Sequence, residues 1–269
     1  MSTADVLESN TLFHEAWKFY ARACPKGEIV QQPGVLIAAC HVPWSIMNIA
    51  FQPAPEGTEA GLTGALDVAA GYFTPRGLAW MFALAWDWLP PPLRSRAAGL
   101  CDQRGLALAM ESVGMVAEQL APPVRPLPAL DLRFVTDNDA KGAQHIADIH
   151  AAAYGASLDT ARQSLAIPAL FQGESRGYLG YEKGQYVAST AVLRLGNVAY
   201  IGYVATRPDF QGKGYAEALI RLALQDAKRL WGLERTALHA TLAGFPVYQR
   251  MGYREVTRFG LYSPRSPGR

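Results

Sequence analysis

Along this chain the spacing of apolar residues switches repeatedly between the two-residue repeat of a strand and the 3.6-residue repeat of a helix. In the second half, residues 132–135 predict a short strand. Asp137-Asn138-Asp139 then offers a helix cap, and Ile146, Ile149 and Ala153 follow at helical intervals. A second helix is predicted over 158–171, with Pro168 disturbing its end. Strands at 175–181 and 186–195 flank Glu182-Lys183-Gly184 as a hairpin, and Gly196-Asn197 turns the chain into a third strand at 198–206. Residues 212–214 open a long helix with Leu219, Ile220, Ala223, Leu224, Ala227, Leu230 and Trp231 on one face and Arg221, Gln225, Lys228 and Arg229 on the other. Gly232 ends it. A strand at 235–240, a short helix at 245–250 stopped by Gly252, and a last strand at 255–261 complete the order β-α-α-β-β-β-α-β-α-β.

The first half has a similar rhythm. A helix carrying Trp17, Phe19 and Tyr20 precedes strands at about 28–31, 35–39 and 46–51. A helix at 58–73, a strand at 78–87, a helix at 92–103 and a strand near 106–111 follow. The two halves share this element order without sequence identity worth quoting, so two tandem lobes of one duplicated fold are expected. Between them, residues 121–130 read APPVRPLPAL. Proline lacks a backbone donor and stiffens the chain toward polyproline II, so a linker is expected there. The expected organisation is a first lobe over 1–120, a linker over 121–130, a second domain over 131–262 and a frayed tail over 263–269. The fold class is α/β of the α+β kind, a mixed sheet flanked by helices.

A length of 269 residues suits two domains, and a composition that is half hydrophobic supplies their cores. The formal net charge of +2, with no basic stripe or arm, argues against nucleic acid as a partner. Cys24, Cys40 and Cys101 are odd in number and unpaired in spacing, which suits buried or free thiols in a reducing cytoplasm. MSTADVLESN lacks the basic start and apolar run of a signal peptide, and the apolar stretch 77–89 is too short to span a bilayer and contains Asp87. No membrane partner and a cytoplasmic location are therefore expected. His14, His41, His145 and His150 have no ligand-like spacing, so no metal is expected. Trp17, Trp44, Trp80, Trp86 and Trp88 read most simply as core, and otherwise as an aromatic wall facing an acceptor.

The chemistry concentrates in residues 204–216, VATRPDFQGKGYA, at a strand-to-helix junction. Gly212 and Gly214 permit positive φ and close approach to a ligand. The N–H groups that open the next helix have no internal partners and favour an anion, and Arg207 and Lys213 add positive charge. This is a cradle for a pyrophosphate; the plainer alternative is a tight turn that needs glycine for geometry alone. The spacing Gln211-x-x-Gly214-x-Ala216 resembles the signature of the GNAT superfamily of acyl-coenzyme A N-acyltransferases. Val204-Ala205-Thr206-Arg207-Pro208 resembles the splayed strand that pairs with the pantetheine arm in that family. Downstream, Tyr248-Gln-Arg-Met-Gly252-Tyr253 resembles the family's Tyr-x-x-x-Gly-Phe/Tyr element. The resemblance covers about half of the chain.

What this resemblance implies is a mostly antiparallel sheet and direct acyl transfer, with acetyl-coenzyme A as co-substrate and no covalent enzyme intermediate. Val204, Ala205 and Thr206 would meet the pantetheine and thioester through their backbone. Gln211, Gly212, Lys213, Gly214, Tyr215 and Ala216 would hold the pyrophosphate, and Tyr248 would protonate the departing thiolate. A phenol of ordinary pKa about 10 can serve a thiol of about 8.5; the alternative is that Tyr248 only packs its helix. Many family members carry a glutamate on the strand before the glycine turn, whereas residues 198–206 offer only Tyr200, Tyr203 and Thr206 as polar side chains. His239 and Glu174 are the candidate bases elsewhere, with a water chain as the alternative. His239-Ala240-Thr241 also departs from the asparagine some members carry, a contact Thr241 would replace. The first half has Gln52-Pro-Ala-Pro-Glu-Gly57 where a phosphate loop would stand, so it would be a silent lobe beside an acceptor held between the halves. The acceptor would be an amine on a small molecule or peptide, and the protein a monomer or homodimer. Two other classes remain. One is a non-catalytic protein that binds or senses coenzyme A. The other is a phosphate-loop nucleotide binder, which lacks a Gly-Lys-Ser/Thr run here.

Overall fold

The computed structural model describes residues 2–136 and 138–265. In chain order it contains α1 (Thr3–Ala23), β1 (Glu28–Gln32), β2 (Val35–Ala39), β3 (Asn48–Phe51), α2 (Glu59–Phe73), β4 (Met81–Ala85), α3 (Pro91–Asp102) and β5 (Leu106–Ala117). Then come β6 (Asp131–Val135), α4 (Ala140–Tyr154), α5 (Leu158–Leu165), β7 (Ser175–Glu182), β8 (Gln185–Leu195) and β9 (Val198–Thr206). The series ends with α6 (Tyr215–Trp231), β10 (Thr236–Thr241), α7 (Phe245–Arg250) and β11 (Arg254–Pro264). Four helices start on a capping side chain: Ser2, Thr58, Asp139 and Ser157 each accept a backbone N–H from the first turn of α1, α2, α4 and α5. Asp139 is thus the cap of α4, and Asp137 lies outside the described residues.

The chain divides into two compact units, Met1–Gly114 with Val256–Arg269, and Met115–Glu255. The first unit orders its strands β1-β2-β3-β4-β11-β5. β1, β2 and β3 are antiparallel neighbours, β3 and β4 are parallel, and β11 runs antiparallel to β4. Its core joins Leu62, Leu66 and Phe73 of α2 to Val35 and Ile37 of β2 and to Trp80, Phe82 and Leu84. Phe73 and Trp80 stack at 5.1 Å, so Trp80 packs as the core residue that its sequence position suggested. All three cysteines are buried and free.

The second unit is an antiparallel run β6-β7-β8-β9 followed by a parallel β9–β10 pair. Adjacent residues of β7 point to opposite faces. Gly177 lies against Ile146 of α4, while the Tyr178 hydroxyl donates to Asp226 of α6 at 2.8 Å, so α4 and α6 cover opposite faces of the sheet. The mixed, largely antiparallel sheet flanked by helices is the expected class, and the order of three antiparallel strands, a helix and a parallel strand recurs in both units.

Several expectations shift. The helix expected over 158–171 stops at Leu165 and resumes as a 3-10 turn at Pro168–Phe171, because Pro168 cannot donate into a continuing helix. The strand expected at 78–87 is limited to Met81–Ala85, with 78–80 irregular and 86–87 in a 3-10 turn, and the one at 46–51 is limited to Asn48–Phe51, with 46–47 in a 3-10 turn. β5 and β11 run longer than their apolar pattern suggested. Leu230 is 39% exposed, while Arg221, assigned to the solvent face, is largely buried. The proline-rich run 121–130 lies inside the second unit, and residues from Val256 onward belong to the first. Ser263 and Pro264, expected in a frayed tail, end β11. The tail's residues 266–269 are outside the described residues.

Candidate functional site

The site begins where β9 leaves its neighbours. The parallel ladder between β9 and β10 covers Ala199, Tyr200 and Ile201 and stops there. Immediately beyond, the register with β8 slips: Ala191 faces Gly202, Ser189 faces Ala205, and Thr190 alone spans Tyr203 and Val204. Tyr203 has φ +50°, a conformation that costs a bulky side chain on the order of 1–3 kcal/mol. This is a β-bulge, which bends its strand and turns backbone groups out of the ladder.

Buried side chains hold the bulge. The Ser189 hydroxyl donates to the Tyr203 carbonyl at 3.1 Å, and the Thr190 hydroxyl reaches Gly202 O at 3.4 Å. His150 Nε2 lies 3.1 Å from the same Tyr203 carbonyl; a carbonyl only accepts, so this nitrogen carries the proton. One helical turn later, the Tyr154 hydroxyl donates to Val204 O at 3.1 Å. An i,i+4 pair on α4 thus grips two consecutive carbonyls of β9.

β9 then runs into the glycine turn. Gly212 and Gly214 have φ +74° and +93°, and Gly214 is the N-cap of α6 without any side-chain cap. A Cβ on Gly212 would meet nothing within 4 Å, so the turn is open to a ligand there. Gln211 Nε2 donates to Thr206 O at 3.1 Å. Lys213 donates to Asp209 O at 2.8 Å and lies 4.9 Å from the centre of the Phe210 ring. The Thr206 hydroxyl is buried without a partner at the mouth of the turn. Uncapped helix N–H groups, an orphaned hydroxyl and an open glycine backbone fit a phosphate-bearing group. A cleft of about 440 Å³ lies beside Arg207, lined also by Lys141, His145, Tyr181 and Tyr186. Among the described residues neither Lys141 nor Arg207 has an ion-pair partner.

Tyr248, on α7, is 8% exposed and packs edge-on against Tyr253 at 5.8 Å. Burial pushes its hydroxyl above the usual phenol range, and the nearby Tyr154 and Tyr253 hydroxyls add to the effect. It therefore stays protonated at neutral pH, and Tyr154 links its surroundings to the Val204 carbonyl. His239 sits on β10 one residue beyond the last paired position, at the apex of the fork, with Nδ1 2.9 Å from the Tyr200 hydroxyl. Thr241 caps the turn into α7, accepting from Gly244 N–H at 3.2 Å. Glu174 is exposed and faces Arg194 at 3.5 Å. It lies about four rungs of roughly 3.3 Å from the bulge, too far to serve there.

The sequence from residue 143 to 253 matches the model of the acetyltransferase (GNAT) family. Residues 143–253 are a GNAT domain. The bulge, the glycine turn, His239 and Tyr248 all fall inside it. A GCN5-related N-acetyltransferase from Kribbella flavida is similar to this chain at a TM-score of 0.68 and 17% identity, over 99% of this chain and 97% of that one. A GCN5-related N-acetyltransferase-like protein from Streptococcus suis is similar at 0.55 and 17%, over 97% and 100%. A tandem GNAT protein from the clavulanic acid biosynthesis pathway is similar at 0.51 and 12%, over 97% and 96%. At such identities the likeness is one of fold. No curated protein matches the chain. The GNAT match at residues 143–253 supports acyltransfer from an acyl-coenzyme A to an amine. Among the described residues no three His, Cys, Asp or Glu side chains form a metal-sized group, and no helix is long and apolar enough to cross a membrane.

Outside the GNAT domain, the first unit differs at the matching junction. Glu56 accepts from the Thr58 N–H at 2.8 Å and from its hydroxyl at 3.0 Å, so a carboxylate already sits at the start of α2. A bound anion there would meet like charge. Sequence reasoning missed His150, Tyr154, Ser189 and the bulge itself. A histidine on an apolar face, four residues before a tyrosine, was the available signal for the first two; nothing in the sequence marks Tyr203 for positive φ.

The buried histidines set a pH limit. Burial lowers the pKa of His150 from 6.5 to about 4, opposed by the Tyr203 carbonyl, and burial with Lys18 lowers that of His14 to about 4. Between about pH 6.5 and 4 the unfolded chain binds more protons at these sites. Stability is fully present above pH 6.5 and lost as pH falls toward 4, by on the order of 3 kcal/mol per histidine. Urea midpoints at pH 7 and 4.5 should differ accordingly, and His150→Gln should flatten part of the slope. Equal midpoints would show that these rings are not neutral in the fold.

Proposed function

We propose that this protein transfers an acetyl group from acetyl-coenzyme A to an amine on a small molecule or peptide, by direct attack of the amine on the thioester. The observation that carries this reading is the bulge of β9 at the point where β9 and β10 diverge, next to an uncapped glycine turn. The carbonyls of Gly202, Tyr203 and Val204 are bound on the protein side, and backbone N–H near Val204 would polarise the thioester carbonyl. Gln211, Gly212, Lys213, Gly214, Tyr215 and Ala216 hold the pyrophosphate through backbone N–H groups, within the positive field of Arg207 and Lys141. The backbone of Val204, Ala205 and Thr206 pairs with the pantetheine.

Tyr248 donates its proton to the leaving thiolate. Its burial makes it a weaker acid than a solvated phenol, and the same burial makes a thiolate beside it a stronger base, so the transfer remains matched. His239, at the apex of the fork beside Tyr200, takes the proton of the attacking amine.

Calorimetric titration with acetyl-coenzyme A, coenzyme A and ATP tests the reading. The expected result is about one equivalent of either coenzyme A species per chain and no binding of ATP, because Glu56 fills the matching position of the first unit. Thiol release with a panel of amines then tests turnover. Binding without release from any amine would favour the sensing role, for which the lack of a carboxylate on β9 is the supporting observation. No binding at all would remove both readings.

A further inference from the structure

Residues 121–130, which compositionally suit a free linker, are tied down within the second unit. At one end the Ala121 N–H donates to Met251 O at 2.8 Å, and its carbonyl accepts from the Arg221 guanidinium at 2.7 Å. Arg221 is held in turn by Glu217, one turn earlier on α6, at 2.8 Å, and the two side chains are only 13% and 6% exposed. At the other end Leu130 packs on Gly180 of β7 so closely that a Cβ there would come within 2.7 Å of it. The prolines at 122, 123, 126 and 128 keep the span between these anchors extended.

In that span the segment crosses the glycine turn. Arg125 donates to the Gly212 carbonyl at 2.9 Å. A Cβ on Gly214 would lie 3.3 Å from Pro128 Cδ and 3.7 Å from the Arg125 guanidinium. One of five guanidinium N–H donors is used on Gly212, and Arg125 has no ion-pair partner among the described residues. Lys213, the cation within the turn, is committed to Asp209 O and the Phe210 ring. Arg125 thus adds to Lys213 and Arg207 a cation from outside residues 143–253, with four of its five N–H donors not engaged on Gly212.

We infer that the proline-rich segment is the outer wall of the phosphate cradle and that Arg125 binds a phosphate of the coenzyme, a reading that rests on the coenzyme A site proposed above. The planar guanidinium is suited to a phosphate, since it can keep its bond to Gly212 and present a second edge to the anion. The prolines reduce the ordering required to hold it there.

Titration of the full chain and of Arg125→Ala and Arg125→Lys with coenzyme A tests this, with S-acetylpantetheine, which has no pyrophosphate, as a competitor. Arg125→Ala should bind coenzyme A at least tenfold more weakly, with a shallower salt dependence, and Arg125→Lys should fall between. Competition by S-acetylpantetheine should be unchanged in both. Coenzyme A should also slow amide exchange across the segment in the wild-type chain more than in Arg125→Ala. Coenzyme A affinity in Arg125→Ala equal to wild type would overturn the assignment. So would an equal loss for S-acetylpantetheine, which would mean a distorted strap. If the wild-type chain does not bind coenzyme A, the site itself fails and this role with it; binding that Arg125→Ala shares removes only the role of the strap.

Discussion

Gly214→Val is expected to lower affinity for coenzyme A by at least a hundredfold while the protein stays folded. Gly214 has φ +93°, which a β-branched residue rarely adopts. Relaxing toward negative φ would rotate the peptide that opens α6 and turn its N–H groups off the ligand. The valine side chain would also press on Pro128 and Arg125. Loss of two charge-assisted hydrogen bonds at about 1.5–3 kcal/mol each is enough for the stated factor. The backbone strain costs about 1–3 kcal/mol, a fall of a few degrees in melting temperature. Titration calorimetry and a melting curve read the two effects separately. Gly212→Ala should weaken binding as well, since its φ of +74° disfavours a side chain and its Cβ would point into the space left for the ligand. Undiminished affinity in Gly214→Val would show the turn to be a structural junction only.

Tyr248→Phe should slow turnover by roughly a hundredfold or more, the usual contribution of a general acid, and leave coenzyme affinity within about twofold. The aromatic ring is retained, so packing against Tyr253 survives. Only the hydroxyl goes. Because burial holds that hydroxyl above the usual phenol range, the wild-type enzyme should show no loss of rate from its ionisation up to about pH 10. Steady-state rates beside a binding titration decide the matter. A Phe variant with full kcat would mean that solvent or another group protonates the thiolate, and Tyr248 would be a packing residue.

The glycine turn and Tyr248 were legible in the sequence because each is a local pattern: glycines at a strand-to-helix junction, and a tyrosine four residues before a glycine. Most elements were legible for the same reason, since apolar periodicity is a local property. What escaped depends on partners distant in the chain. Arg125 meets Gly212 across 87 positions and Arg221 meets Ala121 across 100, and a proline-rich run has one composition whether it hangs free or lies on a surface. The bulge at Tyr203 is set by side chains of α4 and β8, and Gly202 inside the strand was its local sign in the sequence. The assignment of β11 to the first unit was equally hidden, because periodicity announces a strand and not its neighbour.

That assignment has a consequence for biosynthesis. β4 receives β11 as a partner through the pairs Phe82–Tyr262 to Ala85–Phe259, yet residues 115–255 must be translated in between. At about 5–20 residues per second that takes on the order of ten seconds. During this interval the nascent first unit presents Met81–Ala85 as an apolar strand edge with no ladder on one side, the kind of surface that pairs with other chains. The second unit can close on the ribosome first, and the unit begun earliest is finished last.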